Sequence, residues 1–129
     1  MNNMKTSPKL SCAVVTPIGP GHEQVYYDFC VKSIRAAIQK SKGPFEDVYL
    51  FPVEDFQGNL GRSRARNIGV NLAKVNNIDW IFFLDADDFW HKDKLMVQYN
   101  KSVELSNINI FCCNLMNIDL RHEKGICYI

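Results

Sequence analysis

The chain has 129 residues, of which 47% are hydrophobic and 22% are charged, and its formal net charge at pH 7 is +1. This composition is typical of a globular protein with one core, so we expect a single domain over residues 1–129 with a flexible start over residues 1–10. The near-neutral charge argues against a nucleic-acid partner, and no apolar stretch is long enough for a transmembrane segment.

The cysteines and the start of the chain indicate a reducing compartment. The five cysteines are Cys12, Cys30, Cys112, Cys113 and Cys127. They form no C-x-x-C pair and have no spacing typical of metal ligands, so we expect reduced core residues and no zinc site. Because the first residues are polar and lack the apolar core of a signal peptide, we expect a cytoplasmic protein.

The first half of the chain alternates strand, helix and strand. Small and β-branched residues at Ser11–Thr16 predict a buried strand, which stops at the proline- and glycine-rich loop Pro17–His22. Apolar residues at helical spacing predict an amphipathic helix from Glu23 to about Lys40. Val48–Val53 has the composition of a second strand, in which Pro52 indicates a strand end or a sheet edge because it lacks an amide hydrogen.

The second half continues the alternation. A polar loop, Glu54–Gly61, precedes a helix that starts at Arg62 and keeps its apolar spacing to Val75. The later predicted elements are a strand at Trp80–Leu84, a helix from Lys92 to about Leu105, a fourth strand at Ile108–Leu115 and a mixed tail at Asn117–Ile129. This order predicts an α/β fold of three αβα layers, with a mostly parallel sheet and right-handed crossovers.

A run of apolar residues stops abruptly at three carboxylates. Because Trp80–Leu84 has no polar alternation, it favours a central strand covered on both faces. Asp85, Asp87 and Asp88 then stand at the carboxyl edge of the sheet, where α/β folds bind ligands. Their mutual repulsion would fall around a hard cation such as Mg²⁺ or Mn²⁺. The alternative is structural, since aspartates also form turns, and Asp88 precedes a helix that it could cap.

Three arginines stand in the first turns of the helix after Gly61. Because a helix begins with partial positive charge, Arg62, Arg64 and Arg66 are unfavourable there unless a phosphate or a carboxylate cluster lies opposite. For Arg62 and Arg64 we favour a solvated face or pairing with nearby acidic side chains. Arg66 is the better functional candidate.

Two segments resemble the inverting glycosyltransferases of family 2, whose nucleotide-sugar-binding half has the GT-A fold. Gly61–Val70 resembles the alanine-arginine-asparagine helix start of that family, and Trp80–Trp90 resembles its Asp-x-Asp strand end, at a matching separation. Val14–Pro17 is similar to the family's first strand and nucleotide loop. The resemblance runs from about Cys12 to Leu115 and implies a truncated, Rossmann-like GT-A domain.

The resemblance also implies a site for a UDP- or GDP-sugar whose sugar is transferred to an unknown acceptor. Asp87 and Asp85 would hold Mn²⁺ or Mg²⁺ at the diphosphate, and Asp85 would also lie near the ribose. Arg66 would stabilise charge on the departing diphosphate. Thr16 and Pro17 would pass close to the base and ribose.

Two features depart from the family pattern. Family members carry a nucleotide-reading aspartate after the second strand, and then a short strand; here Asp55 is the stand-in, and a loop fills the interval. The family's catalytic base lies downstream, in an acceptor-binding half, so the catalytic residue is unknown. Asp119 and Glu123 read as surface carboxylates rather than as the base.

Two other functions stay open at this point. A domain that keeps the nucleotide site without catalysis would be a sensor or an assembly module. A nucleotidyltransferase is disfavoured because the first loop lacks the glycine-rich, basic pattern used on triphosphates. We expect either a fragment of a transferase or a minimal family member, and a free sheet edge predicts a homo-oligomer.

Overall fold

Three parallel strands form the sheet that positions the candidate site. The computed structural model describes residues 9–105, together with the backbone of 117–119 and 126–128. Strands β1 (Leu10–Ile18), β2 (Phe45–Glu54) and β3 (Trp80–Phe83) pair in the order β2-β1-β3. Both pairings are parallel. The predicted α/β class with a mostly parallel sheet is therefore confirmed, and the arrangement is consistent with a GT-A or Rossmann-like fold.

Helices cover both faces of this sheet. They are α1 (Glu23–Val25), a π-helical turn (Tyr26–Cys30), α2 (Val31–Lys40), α3 (Arg62–Val75) and α4 (Lys94–Glu104). The π-helical turn joins α1 to α2 without a break. None of these described helices has the length and apolar content needed to cross a membrane. A separate antiparallel pair consists of β4 (Asn117–Asp119) and β5 (Ile126–Tyr128).

Strand β1 lies at the centre of the core. Every residue from Cys12 to Ile18 is buried. Cys12 and Val14 belong to the apolar cluster that includes Ile34 of α2. On the opposite face, Val15 lies against α3. The strand is buried on both faces because a helical layer covers each of them.

The expectation that Trp80–Leu84 forms a central strand stays a prediction. Within the described residues β3 pairs with β1, and Phe83 is 54% exposed. The predicted fourth strand, Ile108–Leu115, lies outside the described residues.

Most element boundaries agree with the sequence, and the differences have physical reasons. Strand β2 begins at Phe45 rather than Val48, because its backbone pairs with β1 from Phe45 onward, starting opposite Leu10. Pro52 lies on β2, whose only strand neighbour in the described range is β1, which agrees with the edge indication. The predicted flexible start falls mostly on residues 1–8, outside the described residues, and self-association stays a prediction.

The two cysteines whose side chains are described are free and buried. They are Cys12 and Cys30. Burial raises the pKa of each thiol to about 12, and nearby carboxylates add to the effect at Cys30. Both are therefore protonated core residues at neutral pH, as the sequence predicted.

A stripe of small residues lets α3 approach the central strand closely. Ala65, Gly69 and Ala73 are the buried residues of this helix. A Cβ atom added at Gly69 would overlap with Cγ1 of Val15, far inside van der Waals contact. This contact determines how closely α3 approaches β1.

We expect Gly69→Ala to lower the free energy of unfolding by roughly 1–3 kcal/mol, the usual cost of overpacking, although alanine favours helices by about 1 kcal/mol. Urea denaturation measures the change. Asn71→Ala, at an exposed position of α3, is the control and should be neutral or slightly stabilising. In the double variant Gly69→Ala/Val15→Ala, the loss in the free energy of unfolding should be smaller than the sum of the two single losses. Strictly additive losses would contradict the contact.

Candidate functional site

Three loops meet where β1, β2 and β3 end. The amide of Asp55, just after β2, donates a hydrogen bond to the carbonyl of Ile18 at the end of β1 (2.8 Å). The amide of Leu84, just after β3, donates to the carbonyl of Val15 (3.2 Å). Because all three strands are parallel, their carboxyl ends share one edge, the usual ligand side of α/β sheets.

A cleft of about 200 Å³ opens at this edge. Its lining includes four residues predicted from the sequence, Pro17, Asp55, Asp85 and Asp87, together with His22 and Arg62. Arg62 is exposed, as expected, but it also contributes to the cleft wall. A second depression, of about 360 Å³, lies beside Tyr27 and Phe56 and contains no residue of the predicted site.

The carboxylates occupy a tight turn, Asp85–Asp88, which we call the acidic turn. The amide of Asp88 donates to the carbonyl of Asp85 (3.0 Å) and closes it. Leu84 and Ala86 are buried, and they anchor the backbone so that the acidic side chains face outward. One oxygen each of Asp85, Asp87 and Asp88 can be chosen so that all three lie within 4.8 Å of one another.

The acidic turn carries uncompensated negative charge. Burial, followed by repulsion from Asp87 and Asp85, raises the pKa of Asp88. Among the described residues, no hydrogen-bond donor or cation contacts the carboxylate of Asp87 or Asp88. A divalent cation would lower this repulsion and would find oxygen ligands already grouped.

Arg66 lies opposite this turn, as its place on α3 suggested. Its Nη2 atom donates to Oδ1 of Asp85 at 2.7 Å. The two side chains are 35% and 41% exposed, so water screens the pair and its contribution to stability is modest. Its main effect is orientation, because Arg66 fixes one oxygen of Asp85. Arg66 therefore has a carboxylate partner at the acidic turn.

Asp55 is a buried carboxylate that holds its own loop. Its two oxygens accept hydrogen bonds from the amides of Leu60 and Gly61, both at 3.0 Å. Gly61 precedes α3 with φ of 80°, a conformation that favours glycine. The negative charge thus lies at the positive end of α3. Its role in reading a nucleotide stays a prediction, although the residue lines the cleft.

Thr16 and Pro17 lie at the end of the central strand. Thr16 is fully buried, and its hydroxyl has no hydrogen-bond partner within the described part of the chain. Pro17 is also buried but reaches the cleft wall. Contact of either residue with a nucleotide stays a prediction.

The structural alternative was that the aspartates form a turn and that Asp88 caps a helix, and only its first part is confirmed. Asp85–Asp88 does form a turn. Capping by Asp88 is wrong, because α4 begins at Lys94 and the residue before it is Asp93, whose side chain makes no capping bond either. The turn is therefore present, and a metal-binding role for Asp87 and Asp88 stays a prediction.

Sequence reasoning missed one part of the site. All three aspartates of the acidic turn were predicted to surround a cation, although only Asp85 and Asp87 were named as metal ligands, and the geometry groups Asp88 with them. On the other side of the turn, the hydroxyl of Ser33 accepts a hydrogen bond from the amide of Trp90. The available signal was a polar residue at helical spacing from the buried Cys30, on the face of α2 that meets the core.

Comparison with known proteins adds three findings. Residues 32–122 match the family described as Glycosyl transferase family 2. A stretch of 36 residues, 28% of the chain, is 56% identical to the amylovoran biosynthesis glycosyltransferase AmsB of Erwinia amylovora and spans 11% of that protein. No solved structure shows a significant match.

We expect Asp88→Asn to raise the free energy of unfolding at pH 7 by a few tenths to about 1 kcal/mol in EDTA. The folded-state pKa of Asp88 is raised, so its protonated form favours folding at low pH, and that contribution is lost as the pH rises through the raised value. The gain should therefore disappear as the solution is acidified, and it should shrink in high salt.

Urea denaturation at several pH values measures this gain. Asp47→Asn, an exposed carboxylate on β2, is the control and should leave stability unchanged. A clear loss of stability in Asp88→Asn would mean that its carboxylate holds the turn together.

Proposed function

Because the chain belongs to glycosyl transferase family 2, we propose that it is a metal-dependent glycosyltransferase domain that binds a nucleotide-diphosphate sugar and transfers the sugar to an acceptor. The observation that carries the proposal is the grouping of three carboxylate oxygens within 4.8 Å beside a cleft at the carboxyl edge of the sheet. UDP- and GDP-sugars are the proposed donors.

The residues present fit a hard divalent cation. Carboxylate oxygens are the ligands preferred by Mg²⁺ and Mn²⁺. Asp87 and Asp85 are the proposed ligands, and Asp88 offers a third oxygen in the same group. Only Oδ1 of Asp85 accepts from Arg66 among the described contacts, so Oδ2 remains for the ion.

A bound ion would neutralise charge on the departing diphosphate. The aspartates of the acidic turn would hold it at the edge of the cleft. The guanidinium of Arg66 carries five N–H groups, and those not bonded to Asp85 are proposed to donate to diphosphate oxygens. Thr16 and Pro17, at the end of β1, and Asp55, just after β2, are proposed to lie near the base and ribose, since Pro17 and Asp55 line the cleft.

Transfer would proceed by in-line attack of an acceptor hydroxyl on the anomeric carbon, which inverts its configuration while the sugar–phosphate bond breaks. A general base would take the hydroxyl proton, and no described side chain is assigned to that role. The side chains of Asp119 and Glu123 lie outside the described residues. A cytoplasmic location stays a prediction.

Metal-dependent nucleotide binding tests the proposal. Titration of UDP and GDP by calorimetry should show binding with Mn²⁺ and weak or no binding in EDTA. Asp87→Ala should weaken the metal-dependent binding at least about tenfold, since losing even an outer-shell metal partner costs that much. Asp47→Ala is the control, because that exposed carboxylate lies on β2 outside the cleft. Equal binding in EDTA, or by Asp87→Ala, would contradict the metal site.

Turnover then separates the candidate functions. Hydrolysis or transfer from a UDP- or GDP-sugar would indicate a transferase, whereas binding without turnover would indicate a sensor or assembly module. Use of a nucleoside triphosphate would indicate a nucleotidyltransferase.

Arg66→Gln should separate nucleotide binding from folding. We expect UDP affinity at saturating Mn²⁺ to fall roughly tenfold, the effect of losing a hydrogen bond to a charged group. Stability should change by less than about 1 kcal/mol because the pair with Asp85 is partly exposed. Calorimetry and urea denaturation measure the two effects. Unchanged UDP affinity would restrict Arg66 to its contact with Asp85.

A further inference from the structure

The acidic turn is also fixed from the side of α2. Ser33 stands on that helix, and its hydroxyl accepts a hydrogen bond from the amide of Trp90 at 2.9 Å. The same hydroxyl donates to the carbonyl of Cys30, at the end of the π-helical turn, at 2.7 Å. The thiol of Cys30 in turn lies 3.8 Å from the carbonyl oxygen of Asp85. Cys30 therefore contacts the acidic turn at Asp85, and Ser33 contacts the chain at Trp90, two residues after Asp88.

The bond to Cys30 determines how Ser33 meets the loop. A serine hydroxyl has one proton and two lone pairs. Because the proton is directed at the Cys30 carbonyl, only the lone pairs are available to the loop, and they require an N–H donor there. The amide of Trp90 supplies it, and the buried Trp90 ring packs edge-on against Phe82. The amide of Trp90 and its ring are thus both held in place.

Two backbone anchors bracket the acidic turn. On one side, the amide of Leu84 bonds to Val15 of the central strand, one residue before Asp85. On the other side, the amide of Trp90 bonds to Ser33, two residues after Asp88. Repulsion among the three carboxylates favours spreading of the turn, and these anchors oppose it.

We propose that Ser33 is a positioning residue for the metal site: its hydroxyl holds the far end of the acidic turn, so that the oxygens of Asp87 and Asp88 stay within reach of the cation held by Asp85. The inference rests on the proposed function. Without the hydroxyl, the Trp90 amide loses its acceptor and the turn can widen, so metal affinity falls although no ligand is removed.

The chain contains a close control for this role. Ser102 on α4 makes the same kind of bond, from its hydroxyl to the carbonyl of Tyr99 three residues earlier (2.6 Å), and is likewise half-buried. Its hydroxyl makes no contact with the acidic turn in the described structure. Ser33→Ala and Ser102→Ala therefore remove equivalent intrahelical bonds, and only the first also removes the anchor at Trp90.

The test titrates Mn²⁺ into the full chain with UDP present, with the bound fraction read by electron paramagnetic resonance. Ser33→Ala should bind Mn²⁺ roughly tenfold more weakly than the wild type, as loss of an outer-shell partner does, and Ser102→Ala should match the wild type. Ser33→Thr keeps the hydroxyl and should restore affinity. If Ser33→Ala fails to fold, Ser33→Cys carries the test, since its sulfur is of similar size but a weak acceptor.

A second readout needs no metal. Hydrogen exchange at the Trp90 amide, followed by NMR in EDTA, should be faster in Ser33→Ala than in the wild type and unchanged in Ser102→Ala. Equal Mn²⁺ affinity in Ser33→Ala and a binding-competent wild type would overturn the inference and leave the proposed function intact. A wild type that binds no Mn²⁺ would overturn the proposed function, and the inference with it.

Discussion

The burial of β1 on both faces is the constraint on which the rest of the structure depends. A strand whose residues from Cys12 to Ile18 are all buried must have a helical layer on each side. The cluster around Ile34 covers one face, and Gly69 of α3 meets the other. Parallel pairing with β2 and β3 then brings three strand ends to one edge. The grouping of acidic and basic side chains there follows from strand direction.

The four carboxylates at this edge differ in their partners. Both oxygens of Asp55 accept hydrogen bonds from backbone amides, and one oxygen of Asp85 accepts from Arg66. Asp87 and Asp88 receive no such partner from the described residues. Asp55 therefore holds its own loop, whereas Asp85 keeps one oxygen for a ligand and Asp87 and Asp88 keep both. Composition cannot make this distinction, since all four are aspartates following strands.

Periodicity predicted much of the fold, because it reports which side of an element is buried. It located α3 from Arg62 to Val75 and placed the aspartates at the carboxyl edge of a parallel sheet. It could not show that β1 lies between β2 and β3, since an apolar run does not indicate which strands pair with it. Periodicity also did not predict the amide partners of Asp55 or the contact of Ser33 with Trp90. Those contacts depend on loop closure and on packing between distant segments.

The order of the strands has a consequence for synthesis. Because β1 lies between β2 and β3, this strand receives its second neighbour only after Trp80–Phe83 has been synthesised. Ser33 and Trp90 are 57 residues apart, so their hydrogen bond can form only after Trp90 has been synthesised. Until then a nascent chain presents one unpaired apolar edge of its central strand, a surface prone to aggregation. The acidic turn is therefore held in place only late in the synthesis of residues 9–105.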